Sequence, residues 1–235
     1  MTPPRDLVEQ SLSFAREIQA LLDATLPGSR TIVSVQHGDR YVVRPEGEKR
    51  DRHIPLMVGG DVFAALSVVL YQDLDRTGEY LKTWRTDFSV YSALDNNPLL
   101  RLEYRADMHT EPISHWQFHA ERGAFTHLLT HAQAHGRVKN PHSLASLHLP
   151  TGGERFRPSL EDLIEFLIRD CGVDGVPGWE DAVREGREVW RRRQLRAAGR
   201  DLQAEAAEVL EQHGWEVHPP RDPDLQEWLT PYRRW

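Results

Sequence analysis

From Leu99 to Glu121 the chain alternates apolar and ionisable residues, a pattern that specifies a pair of half-buried β-strands. In the first run Leu100, Leu102, Tyr104 and Ala106 share one face, and Arg101, Glu103, Arg105 and Asp107 share the other. In the second, Trp116, Phe118 and Ala120 oppose His115, Gln117, His119 and Glu121. A short loop joins the two as an antiparallel hairpin. Setting Arg105 opposite Gln117 places Asp107 beside His115, Glu103 beside His119 and Arg101 beside Glu121. Every charge then meets a complement, and such cross-strand pairs contribute about 0.2–1 kcal/mol each.

The flanking sequence supplies the rest of a sheet. Val8, Leu12, Ala15, Ile18 and Leu22 recur at helical spacing and predict an amphipathic helix that Pro27-Gly28 stops. Residues 31–35 and 40–44 read as a hairpin, 45–53 as a charged loop, 54–58 as a short strand and 62–72 as a central one. With 84–94 as a further strand, the chain makes an antiparallel β-meander extended by the earlier hairpin. After Gly123 the period changes: Phe125, Leu128, Leu129 and Ala132 mark a helix, and residues 141–149 are irregular or a short strand. Ser159 caps a helix whose apolar face runs from Leu160 to Cys171, with Gly172 past its end. Beyond Pro177 a charged, alanine-rich stretch predicts one long helix or two, with the break at Gly199. The fold class is therefore α+β, with helices packed on one face of the sheet over 1–175. A helical C-terminal extension and a Pro/Trp-rich tail follow over 176–235.

Composition excludes several function classes. A net charge of −7 over 235 residues does not suit a protein that coats nucleic acid through its global field. No apolar run reaches the roughly twenty residues needed to span a bilayer. The N-terminus lacks the pattern of a signal peptide, and one cysteine allows no internal disulfide, so a cytoplasmic location is expected.

Eight of the twelve histidines lie between His109 and His148, which makes the hairpin the place to look for chemistry. His115, His119, Glu121 and Glu103 are the candidate catalytic groups. A histidine beside a carboxylate is held in one tautomer and suits acid–base work. Arg101, Arg105, Gln117 and Arg155 are the candidate substrate contacts, because guanidinium groups clamp phosphate. The same pairs describe a solvated sheet face tied by ions, which needs no function and is the commoner arrangement in half-exposed strands. His127, His131 and His135 share a helical stripe, and His148 joins His115 and His119 if their strands are neighbours. These are weak metal candidates without a ligand signature, so no cofactor is indicated, and nothing in the spacing supports a divalent metal. The basic run Arg191–Arg196 is diluted by nearby carboxylates and reads as an exposed helix face.

On the residues His115-Trp-Gln-Phe-His119 and the later His148-Leu-Pro-Thr-Gly-Gly-Glu-Arg-Phe-Arg-Pro-Ser-Leu-Glu-Asp-Leu163, the chain resembles two groups of proteins. Over most of its length it is similar to uncharacterised conserved proteins of actinobacteria. Residues 99–171 are similar to the TumE-like toxin components of toxin–antitoxin pairs, but a helix intervenes where those proteins carry a compact paired-histidine motif. That second resemblance implies nuclease-like activity on RNA or another phosphate-bearing substrate. The alternative is a non-catalytic interaction or homo-oligomeric assembly protein, using residues 177–235 with Trp215, Trp228 and Trp235 to bind a partner or a second copy.

Overall fold

The computed structural model describes residues 7–75, 78–93, 98–119, 149–151, 153–219 and 227–234. Its first element is α1 (Leu7–Thr25), which buries Ala15, Ile18, Leu21 and Leu22. The first two turns depart from the expected stripe, because Val8 and Leu12 are exposed and Ser11 is buried instead. Ser11 Oγ donates to Gln72 Oε1 at 2.8 Å and lies 2.6 Å from Ser34 Oγ. A polar cross-link to the sheet thus replaces apolar packing, and it satisfies a buried glutamine that would otherwise cost stability. Where the chain leaves α1, a Cβ on Gly28 would sit 2.6 Å from Pro55 Cγ, so the close approach requires glycine.

The strands are β1 (Ile32–His37), β2 (Arg40–Pro45), β3 (Ile54–Val58), β4 (Asp61–Leu74), β5 (Leu81–Ser92), β6 (Pro98–Arg105), β7 (Ser114–Phe118) and β8 (Leu149–Pro150). They form one antiparallel sheet in the order β1-β2-β4-β5-β6-β7-β8, with β3 also paired to β4. β2 and β3 take different stretches of one edge of β4, and β5 runs along the other. The meander and its hairpin extension therefore follow the alternation in the chain. Register stacks Leu66, Val90 and Leu100 in one row and Val68, Phe88 and Leu102 in the next, all buried.

That buried side carries the helices. After the single turn α2 (Gly153–Phe156) comes α3 (Leu160–Arg169), which opens with a capping box. Ser159 Oγ accepts from the Asp162 amide, and the Asp162 carboxylate accepts from the Ser159 amide at 2.8 Å. Leu163, Ile164 and Leu167 are buried on the sheet. Cys171, expected on this apolar face, is exposed: the helix ends at Arg169, so the chain has left helical phase before the thiol.

The long helix α4 (Trp179–Asp201) packs against α1 and α3. Val183 joins the core, and Arg187 bridges Asp162 at 2.7 Å and Glu165. The break expected at Gly199 falls at Leu202 instead, with φ −126° and ψ 71°, before α5 (Gln203–Gln212). A helical glycine costs about 1 kcal/mol relative to alanine, which does not by itself end a helix held by packing. The last turn, α6 (Thr230–Arg233), returns to the end of α4. There Trp228 N donates to Asp201 O at 2.8 Å, and Arg234 donates to the Ala106 carbonyl. No helix among the described residues is long and apolar enough to cross a membrane.

Candidate functional site

The polar face of the β6–β7 hairpin forms in a different register from the one expected. Arg101 pairs with Gln117, Glu103 with His115, and Tyr104 with Ser114. The pairs Arg105–Gln117, Asp107–His115 and Glu103–His119 do not occur. Gln117 meets a residue four positions away from the expected one, and an even shift leaves every side chain on its own face. The cause is on the opposite face. There the observed register brings Trp116 and Phe118 to 5.7 and 6.4 Å from the Phe166 ring of α3. Aromatic contacts of that kind contribute about 0.5–1.5 kcal/mol each beyond their burial, enough to outweigh charge pairs of about 0.2–1 kcal/mol.

His115 is not on a solvated surface; it is 1% exposed. Nδ1 lies 2.8 Å from the Pro112 carbonyl, which only accepts, so Nδ1 carries the proton. Nε2 lies 3.5 Å from Glu103 Oε2. The Glu103 carboxyl is held below the usual carboxylate range chiefly by its interaction with His115, with burial opposing and the Arg101 charge assisting. Both His115 nitrogens face protein groups, Nδ1 the Pro112 carbonyl and Nε2 the Glu103 carboxylate. Arg101 Nη1 stands 3.9 Å from Glu103 Oε1, and Arg105 Nε stands 3.5 Å from Asp107 Oδ1.

Strand β5 adds residues that the alternation of the hairpin did not bring to notice. Asp87 pairs with Glu103, so Asp87, Glu103 and His115 form one row across three strands. Arg85 pairs with Arg105 and bridges Asp87 at 2.6 Å. The signal was present as Arg85, Asp87 and Ser89 at alternate positions, but only the register sets them beside the hairpin. His119 extends the ladder past β7, its amide donating to the Leu99 carbonyl at 2.9 Å. Its imidazole is partly buried, and its pKa lies below the ordinary histidine value because of desolvation first and the Arg101 charge second. Glu103 opposes both. Desolvation and the Arg101 charge thus both favour the neutral form of the His119 imidazole.

Arg155 does not join these groups. It belongs to α2, on the helical side of the sheet, where it is clamped by Asp201 at 2.6 Å and Glu154 at 2.9 Å. Arg101 and Arg105 occupy the other parity of β6 and project from the opposite face. Glu121, His127, His131, His135 and His148 lie outside the described residues, as does the helix expected from Phe125. Among the described residues no group of three or more His, Cys, Asp or Glu side chains is arranged to hold a metal ion. No family model matches the chain, and neither a curated protein nor a solved structure matches it.

Proposed function

We propose that the polar face of β5–β7 is an acid–base centre acting on a phosphate-bearing substrate, with RNA as the substrate class. The observation that carries this reading is a partly buried His119, its neutral form favoured, beside the guanidinium of Arg101. A neutral imidazole accepts a proton, and Arg101 and Arg105 supply the charge that holds phosphate oxygens. With RNA, His119 takes the proton of a 2′-hydroxyl. That oxygen bonds to phosphorus, and the 5′-oxygen leaves with a proton from water. Glu103, fixed by His115, steadies Arg101 from beneath. The resemblance of residues 99–171 to TumE-like toxins supports the same substrate class.

The test is incubation of the full chain with labelled single-stranded RNA and the matching DNA. The expected products are RNA fragments with cyclic phosphate ends, while the DNA, lacking the 2′-hydroxyl, stays intact. Arg101→Met with Arg105→Met should weaken RNA retention by about tenfold or more, the scale of charged hydrogen bonds. RNA that is neither retained nor cut by the wild-type chain would end this reading.

A second reading, a non-catalytic assembly protein, is supported by the C-terminal helix. No residue of α5 is buried, and Val209, Leu210 and Trp215 are exposed at 55, 41 and 67%. Sedimentation should then give a mass above the 27.1 kDa monomer that falls to it in Val209→Asp with Leu210→Asp. A wild-type chain that sediments as a monomer at high concentration would count against self-association.

A further inference from the structure

On the helical side of the sheet, α4 roofs a groove floored by β4 and β5 and walled by α1 and α3. It has two compartments of about 570 Å³ each, which share Phe14, Glu17, Arg157, Trp190 and Arg193. That volume lies within the range of small-molecule sites. Along α4, Trp190, Arg193, Ala197 and Arg200 line the groove at i, i+3, i+7 and i+10.

The compartments differ in chemistry. One is lined mainly by apolar side chains, including Ile18, Leu21, Leu70, Phe88 and Val189. The other carries six basic side chains, Lys82, Arg155, Arg157, Arg193, Arg196 and Arg200, against two carboxylates, Glu17 and Glu154. In a chain of net charge −7 this is a local inversion of sign. Asp201 and Glu154 answer Arg155, and Glu17 answers Arg193 at 2.6 Å. Lys82, Arg196 and Arg200 form no ion pair among the described residues.

Arg157 is the most telling member. It is 6% exposed, yet no carboxylate pairs with it among the described residues. Its guanidinium carbon lies 3.9 Å from the Tyr104 ring centroid and 4.8 Å from that of Trp190, and Nη1 donates to the Glu154 carbonyl. Aromatic faces and one carbonyl offset only part of the cost of burying a cation, and an anion in the groove would supply the rest. One further buried donor in the lining, Gln10 Nε2, has no hydrogen-bond partner among the described residues.

We infer that this groove binds an amphiphilic anion, a small ligand with a phosphate head in the basic compartment and an apolar or aromatic body in the other. It lies on the opposite face of the sheet from Arg101, Glu103 and Arg105, so it stands independently of the acid–base centre. A nucleotide and an alkyl phosphate share the required chemistry. Calorimetric titration of the full chain with pyrophosphate, AMP and dodecyl phosphate below its micelle concentration tells them apart. One saturable site is expected, with AMP or dodecyl phosphate binding at least tenfold more tightly than pyrophosphate; whichever of the two binds tighter identifies the body. Arg196→Gln with Arg200→Gln removes two exposed cations without touching the core. It should weaken binding by at least tenfold, the scale of charge-assisted hydrogen bonds, while Glu103→Gln leaves binding unchanged. Absence of saturable binding, no gain over pyrophosphate, or affinity unaltered by the Arg196/Arg200 exchange would overturn the proposal.

Discussion

His119→Ala is expected to lower kcat/KM for RNA cleavage by about 10²–10⁴-fold, the range contributed by a positioned proton acceptor. The pH dependence gives the same residue a second signature. A base works when deprotonated, so the rate should rise with pH through the His119 pKa and then level. Desolvation and Arg101 hold that pKa below the ordinary histidine value of about 6.5, so the midpoint should fall on the acid side of it. Glu103→Gln removes the negative charge that raises it and should move the midpoint further toward acid. His115→Asn, changing a buried group that faces Pro112 and Glu103, should lower the rate by less than His119→Ala does. A rate indifferent to His119→Ala would remove His119 from the reaction, whatever the substrate proved to be.

Tyr104 should make the fold sensitive to alkali. Burial raises its phenol to about 12, although the charge of Arg157 over the ring pulls it down. The unfolded chain ionises near pH 10, while the folded one keeps the proton. The stabilisation is therefore complete below pH 10 and is lost as pH rises toward 12. Two pH units of separation correspond to about 2–3 kcal/mol, a large share of a typical folding free energy. Tyr104→Phe retains the ring under Arg157 and has no proton to lose. Urea unfolding of both proteins at pH 8, 10 and 11 measures the difference. The wild type should weaken across that interval by more than the phenylalanine variant, and parallel decline of the two would assign the alkaline loss to other groups.

Most of the architecture was legible because it rests on periods that one stretch of chain carries by itself. Ser159 and Asp162 announce the start of α3 within four residues, and the alternation of Leu100, Leu102 and Tyr104 announces the buried face of β6. The errors have a common origin. Cys171 fits the helical period but lies beyond the turn where the helix stops. Arg155 is near the hairpin in composition but belongs to the other side of the sheet, where Asp201, forty-six positions later, holds it. Ser11 interrupts an apolar stripe because Gln72 and Ser34, distant in sequence, need a polar partner.

The same division runs through the candidate site. The sequence alone determined the α+β class, the meander and the face to which each residue of β6 and β7 belongs, because a period of two is a local property of the backbone. It did not determine which residues on that face meet. Packing of Trp116 and Phe118 against α3 chose a register that buries His115 against Glu103 and sets Asp87 and Arg85 beside them. Nor did it contain the basic groove, whose six cations come from β5, the segment around α2, and α4. Only tertiary packing brings such separated charges together, because burial of apolar area is strong enough to hold them against their mutual repulsion.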